Sequence, residues 1–449
     1  MAPIAAFMFP MASGHTNPSL PLARRLVNLG WTVYFLSFPP FRRAVEDTGS
    51  TFVDSRRFVT PSMDIIGLHR TGSDCDSLDA FDPNKFGLVL RMCSAIYVRH
   101  AVPALLKYFE EIYPDLVVYC PHLCAFAHLA ARRLKIRSVS LLTLPGPGSM
   151  ETIVQTGGLT GAELCKLLAE NSPQLEAIEA LKKDLAFPDL TLNTSLPLHG
   201  DHYSDLNLVT TTEDLADEWE DDAATYAAQG KAFAFVGPLI DVAGAKRCAG
   251  FKKEAQEELL PKRAVDGEFP MDVVESAVAA GRGIVLVSLG TVITGDSSNH
   301  GWKATDGSSM TGKQLCQAVF KAVFAELGDP AEGGSHGLLL VVAIGPQADA
   351  LEGVQVPGNA ICRNVLPQVD ILRLKPRVFV THGGQNSFME SMFVGTPLVV
   401  CPGFADQPAN GAKAQAMKVG LCVDRPVGFL LGESHGRMGH LPEASRPEI

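Results

Sequence analysis

Short apolar runs separated by polar turns and amphipathic segments recur along most of this chain. The runs at 4–9, 31–37, 114–120, 138–142 and 233–237 read as strands, as do GIVLVSLGT from Gly283, 338–344, 378–380 and 398–401. Most are followed by three- to four-residue periodicity, the signature of a helix packed on a sheet. Strand–helix alternation of this kind predicts an α/β chain of parallel strands, because a parallel pair needs a crossover. The turns after parallel strands then share one edge, where open α/β sheets bind ligands.

The opening unit shows the pattern. Ile4 to Phe9 is a strand and MASGHTN a loop, and a helix is expected from Pro18 to Leu29, with Asn17 as N-cap and Gly30 at its end. The loop carries His15, close to a helix N-terminus, whose positive end keeps an imidazole neutral and able to accept a proton. An ordinary loop histidine fits the same position. The turn has no G-x-G-x-x-G fingerprint, so a dinucleotide fold is not indicated. Residues 55 to 95 are poorly patterned and read as loops, and 151 to 230 read as mainly helical. The acidic run TTEDLADEWEDD at 211–222 is expected to be a solvated helix face.

The richest stretch spans residues 378 to 423. A strand at 378–380 runs through Gly383 and Gly384 into a helix from Asn386 that ends at Gly395, and a strand, a helix and another strand follow. Two glycines let a ligand approach the backbone, and the free N–H groups of a helix start suit a phosphate. His382 adds a donor. A plain strand-to-helix turn reads equally well, since Ser387 and Glu390 match the S-x-x-E capping box.

Composition narrows the class. The 449 residues exceed one average domain, and 46% hydrophobic with 19% charged residues describes a globular protein with a large core. A net charge of −11 argues against nucleic acid or an anionic membrane as partner, without excluding a phosphate held by backbone donors. The ten cysteines show no disulfide framework, so a reducing, cytoplasmic setting is expected. Pro10 and Gly14 interrupt the N-terminal apolar residues, which argues against a secretory signal. The strongest apolar run, 337–345, has the length of a buried strand and not of a membrane span.

THGGQNSFMESMFVGTPLVVCPGFADQPANG, residues 381–411, resembles the donor-binding signature of the glycosyltransferase family 1 enzymes. These are UDP-glycosyltransferases of the GT-B fold, α/β proteins with two Rossmann-like domains whose parallel sheets face an interdomain cleft. The resemblance implies that His382, Gly383, Gly384, Asn386 and Ser387 hold the diphosphate, Glu390 the ribose, and Asp406 with Gln407 the sugar hydroxyls. Ser288, Gly290 and Thr291 match the family's S-x-G-T loop, and Gln368 the residue that contacts the nucleotide. GHTNPSLPLARRL is similar to the acceptor-side motif, whose histidine, here His15, is the catalytic base. The implied domains are 1–237 for the acceptor and 270–424 for the nucleotide sugar, with a linker at 238–269 and an irregular tail at 425–449.

Four departures stand out. Cys120 occupies the position from which an aspartate supports the base, and Asp115 lies at the other end of that strand. Val365 stands where the family stacks a tryptophan on uracil. The loop from 291 to 312 is long, and the residues after Val423 lack helical period, as if the chain were truncated or mis-spliced. Cys120, His122, Cys124 and His128 do not have a standard zinc spacing, so buried thiols and histidines are expected and no metal.

These readings imply an inverting, metal-independent transfer of a sugar, glucose by expectation, from a UDP-sugar to a hydroxyl on a small hydrophobic acceptor, with no resident cofactor. The alternative is a GT-B protein that binds a nucleotide sugar or a lipophile without turnover. A glycoside hydrolase is disfavoured because no paired carboxylates can be identified.

Overall fold

A computed structural model describes residues 2–59, 94–156, 158–240, 269–295, 311–330 and 337–423. Most of the poorly patterned stretch at 55–95, nearly all of the linker, the middle of the long loop and the tail lie outside the described residues.

Two wholly parallel sheets carry the fold. The first holds β1 (Ile4–Met8), β2 (Thr32–Ser37), β3 (Thr51–Asp54), β4 (Leu116–Tyr119), β5 (Arg137–Leu142), β6 (Leu206–Val209) and β7 (Ala232–Phe235), in the order β3-β2-β1-β4-β5-β6-β7. The second holds β8 (Gly283–Ser288), β9 (Leu338–Ala343), β10 (Ala360–Arg363), β11 (Val378–Thr381), β12 (Leu398–Val400) and β13 (Gly420–Cys422), in the order β10-β9-β8-β11-β12-β13. Each is a doubly wound, Rossmann-like sheet whose strand order reverses once, between β1 and β4 and between β8 and β11. Their continuous apolar runs follow from helices covering both faces. Ala5 to Phe9 and Ile284 to Val287 are almost fully buried, and Phe7 stacks on Phe35 with ring centroids 5.4 Å apart.

Most strands lie where the apolar runs predict them, while three do not stand out in the pattern. β3, β6 and β10 are four residues each, and β6 crosses the stretch read as mainly helical. Polar residues break up the sequences TFVD, LNLV and AICR, so no continuous apolar run shows, and pairing with a neighbour decides each strand. The acidic run is also not one solvated face. Its helix begins only at Glu220, and Asp217 is buried against the second domain, where it ion-pairs with Lys413.

The turn after β1 differs too. Residues Ser13–Thr16 form a single helical turn, a 3₁₀ turn follows at Asn17–Ser19, and the long helix starts at Leu20. Ser19, not Asn17, sits at the cap position, with no side-chain bond to the helix. Among the described residues, no helix is long and apolar enough to cross a membrane.

Candidate active site between the two sheets

At the switch point of the first sheet, the turns after β1 and β4 diverge and carry His15 and Cys120. At that of the second, the turns after β8 and β11 carry Ser288 to Thr291 and His382. The two edges meet: Ser13 Oγ lies 3.3 Å from Thr291 Oγ1, and Asn386 Nδ2 donates to the carbonyl of Gly14 at 2.9 Å. Candidate base and candidate donor wall, far apart in sequence, thus share one cleft.

His15 is held by its own backbone first. Its N–H and that of Thr16 bond to Ala12 O at 3.0 and 2.9 Å, and the Thr16 hydroxyl donates to Pro10 O at 2.7 Å. On the imidazole, Nδ1 faces Thr143 Oγ1 at 2.8 Å and Cys120 Sγ at 3.4 Å. Burial lowers the pKa of His15 to about 4, so the ring is neutral at physiological pH. The expected neutrality therefore holds for another reason than a helix dipole, since His15 lies in the last turn of its short helix. Asp115 accepts the backbone N–H of Ile4 at 2.8 Å, at the far end of the sheet from His15.

Thr143 escaped the sequence reading because nothing local marks it. It follows β5, two strands away from β1, and only the order β1-β4-β5 brings the two turns together. The same edge gathers further histidines: ring centroids are 6.3 Å apart for His15 and His122, 4.8 Å for His122 and His199, and 4.3 Å for His199 and His202. The four residues weighed for zinc do not converge. Cys120 faces His15, while His128 stacks on Tyr119 and bonds Ser138 Oγ at 2.9 Å. Among the described residues, no group of three or more His, Cys, Asp or Glu has metal-binding geometry.

On the second domain's side of the cleft, His382 is the centre. Its ring packs so closely that a Cβ at Gly290 or at Gly384 would each come within 2.6 Å of Nε2, and Gly290 has φ +79°. Those two glycines make room for the imidazole. Gly383, at φ +78°, has the same need against Val400. Burial brings the His382 pKa down to about 4, against the opposing effect of a bond to the Ser288 backbone. His382 thereby ties the turn after β11 to the S-x-G-T turn after β8, whose strands pair at Ser288 and Thr381.

The helix of this wall runs over Gln385–Val394, one residue earlier than expected, with Gly384 at its N-cap and Gly395 at φ +74° at its end. Ser387 and Glu390 lie inside it, so they do not form a capping box. The amide of Gln368 instead bridges them, Nε2 donating to Ser387 Oγ at 3.1 Å and to Glu390 Oε2 at 2.8 Å. The first helix N–H, from Gln385, donates to Asp406 Oδ2 at 2.7 Å. Asp406 also accepts from Asn410 Nδ2 at 3.2 Å, and burial pushes its carboxyl up to about 6. Gln407 Oε1 accepts from the N–H groups of Gly403 and Phe404 at 2.7 and 3.1 Å. The Asp406 and Gln407 side chains are thus oriented by backbone donors of the same wall.

Between the walls lies a narrow crevice lined from the first domain by Pro18, Thr210 and Leu239 and from the second by Asn386, Met389 and Glu390. Thr211 Oγ1 donates to Met389 Sδ at 3.2 Å, and Lys413 Nζ reaches Leu215 O at 2.9 Å as well as Asp217. Val365 is half-buried after β10.

Residues 352–425 match the family model for UDP-glucoronosyl and UDP-glucosyl transferases. At full length, the chain is 24% identical to the uncharacterized UDP-glucosyltransferase YojK of Bacillus subtilis, over 95% of this chain and 86% of that one. It is also 24% identical to the NDP-glycosyltransferase YjiC of Bacillus licheniformis, over 93% and 84%. Over most of its length the chain is similar to UDP-glycosyltransferases. The glycosyltransferase of kitacinnamycin has the same two-domain GT-B fold, with a TM-score of 0.58 at 23% identity over 94% of this chain and 87% of that one. Gln368, His382 to Glu390, Asp406 and Gln407 fall inside the matched family segment. His15 and Ser288 to Thr291 precede it and meet it only in the folded cleft.

Proposed function

We propose that this protein is a UDP-glycosyltransferase, an inverting, metal-independent enzyme that transfers glucose from UDP-glucose to a hydroxyl of a small lipophilic acceptor in the cytoplasm. The observation that carries the reading is a neutral imidazole, His15, at the contact between the two switch points, on the domain opposite the donor wall. In this reading Nε2 of His15 takes the acceptor's hydroxyl proton as the oxygen bonds to the anomeric carbon from the face opposite the diphosphate. The bond from that carbon to the diphosphate oxygen breaks, and UDP leaves with the electron pair. His382, Asn386, Ser387 and the turn Ser288–Thr291 supply donors for the growing phosphate charge, and the N-terminus of the helix Gln385–Val394 adds its dipole. Glu390, oriented by Gln368, binds the ribose, and Asp406 and Gln407 bind the sugar hydroxyls.

The test is UDP release from UDP-glucose in the presence of flavonoid, sterol and macrolide alcohols. Release with the wild type, its persistence in a chelator, its loss in both His15→Ala and Glu390→Gln, and a product of inverted anomeric configuration are expected. Unchanged release in both variants sinks the mechanism.

A second reading, a nucleotide-sugar or lipophile binder without turnover, is favoured by one observation: the partners of His15 Nδ1 are a hydroxyl and a thiol, and neither carries the charge that steadies an imidazolium. UDP-glucose raises the melting temperature under both readings. Only the enzyme releases UDP when an acceptor is added.

A further inference from the structure

We infer that Thr143 is the positioning residue of His15, its hydroxyl oxygen accepting the Nδ1 proton so that Nε2 is left as the proton-accepting nitrogen. The inference rests on the catalytic role proposed above for His15. Thr143 is 2% exposed and its Oγ1 lies 2.8 Å from Nδ1, the shorter of the two contacts at that nitrogen. The other, Cys120 Sγ at 3.4 Å, is a weak acceptor. Thr143 is also well anchored: the carbonyl of the preceding Leu142 accepts both the N–H of Thr210, at 3.0 Å, and its hydroxyl, at 3.1 Å.

The chemistry selects the direction of the bond. A neutral imidazole has one donor and one acceptor nitrogen, whereas the imidazolium formed on proton uptake has two donors. A hydroxyl oxygen that accepts from Nδ1 in the resting state satisfies the ring both before and after the proton arrives at Nε2. A hydroxyl that donated to Nδ1 would place the resting proton on Nε2 and block it as a base. Thr143 thereby does the tautomer-setting part of the work of a carboxylate without supplying its charge.

Three substitutions at Thr143, one at Cys120 and one spectroscopic measurement test this on the full chain. Thr143→Val, which keeps the shape and removes the hydroxyl, lowers kcat roughly 10- to 100-fold with the KM for UDP-glucose little changed. Thr143→Ser retains most of the rate, and Cys120→Ala loses less than Thr143→Val. Nitrogen-15 spectra of labelled histidine, with His15 assigned by its loss in His15→Gln, show Nδ1 protonated in the wild type and in Thr143→Ser but a shifted tautomer balance in Thr143→Val. If Thr143→Val fails to fold, Thr143→Asp decides: the added carboxylate moves the acid limb of the rate toward higher pH. Wild-type rate and tautomer in Thr143→Val, a larger loss in Cys120→Ala, or an unmoved acid limb in Thr143→Asp overturns the inference. A wild type that releases no UDP with any acceptor defeats the catalytic reading, while the spectra still decide what Thr143 does to the ring.

Discussion

Asn386 Nδ2 donates to the carbonyl oxygen of Gly14 at 2.9 Å, so a residue of the helix Gln385–Val394 holds the turn that carries His15. This bond crosses the cleft, and such a bond contributes about 1 kcal/mol net. Asn386 is also proposed above as a phosphate donor, and Asn386→Ala is for that reason expected to weaken UDP binding by about fivefold or more. Titration calorimetry reads this directly, and an unchanged Kd would show that Asn386 does not contribute to donor binding.

Burial holds the pKa of His15 at about 4, and kcat/KM reports the groups of the free enzyme. The profile of kcat/KM is expected to stay level from pH 8 down to pH 5 and to fall below that, with a midpoint near 4. An acid limb centred near 7 would mean that an anion faces His15 in solution.

Folding stability has its own pH dependence. Burial lowers His15 to about 4, His128 to about 3 and His382 to about 4, all from 6.5. Below 6.5 the unfolded chain takes up protons that these folded rings refuse, so stability is lost as pH falls from 6.5 toward 4. Asp406, raised from 3.8 to about 6, works in the opposite sense, because its folded form binds the proton more tightly. With three groups against one, the melting temperature is expected to fall between pH 7 and pH 5, and less steeply in His128→Gln. A melting temperature that is flat or rising toward pH 5 contradicts this balance.

The glycine at 384 can be tested against its neighbour. A Cβ there would lie 2.6 Å from His382 Nε2, while the backbone, at φ −59°, is open to any residue. Gly384→Ala should weaken UDP binding in the wild type and have little further effect in a His382→Ala background. The expected coupling in this double-mutant cycle is about 1 kcal/mol or more. Additive losses would place the role of Gly384 in ligand approach instead.

Lys413 and Asp217 link the domains, with the Asp217 side chain 5% exposed and that of Lys413 21% exposed. Lys413→Met leaves the buried carboxylate without this partner and is expected to cost about 2 kcal/mol, reduced from the fully buried case because Lys413 is partly hydrated. The midpoint of urea unfolding measures the loss. Pairing it with Asp217→Asn should restore most of the midpoint, and failure to do so would mean that the link is not a stabilising contact.

Sequence by itself determined the parts of this protein whose physics is local. Continuous apolar runs fixed the central strands, because a strand buried on both faces has no polar side to show. The ends of the helix Gln385–Val394 were legible to within a residue, since Gly383 and Gly395 both adopt positive φ. The stretch from His382 to Gln407 pointed to a donor site through its resemblance to a family signature, since its glycines and spacing fit a plain turn equally well. Tertiary structure decided what depends on neighbours distant in the chain. Pairing, not propensity, made strands of β3, β6 and β10, and the packing of His382 explains Gly290 and Gly384 better than ligand approach does. Ser387 and Glu390 have the spacing of a capping box, yet Asp406 meets the first helix N–H while Gln368 bridges the pair. Thr143 became visible as the partner of His15 only once strand order set β4 between β1 and β5, because a hydrogen bond between residues 128 positions apart leaves no local trace.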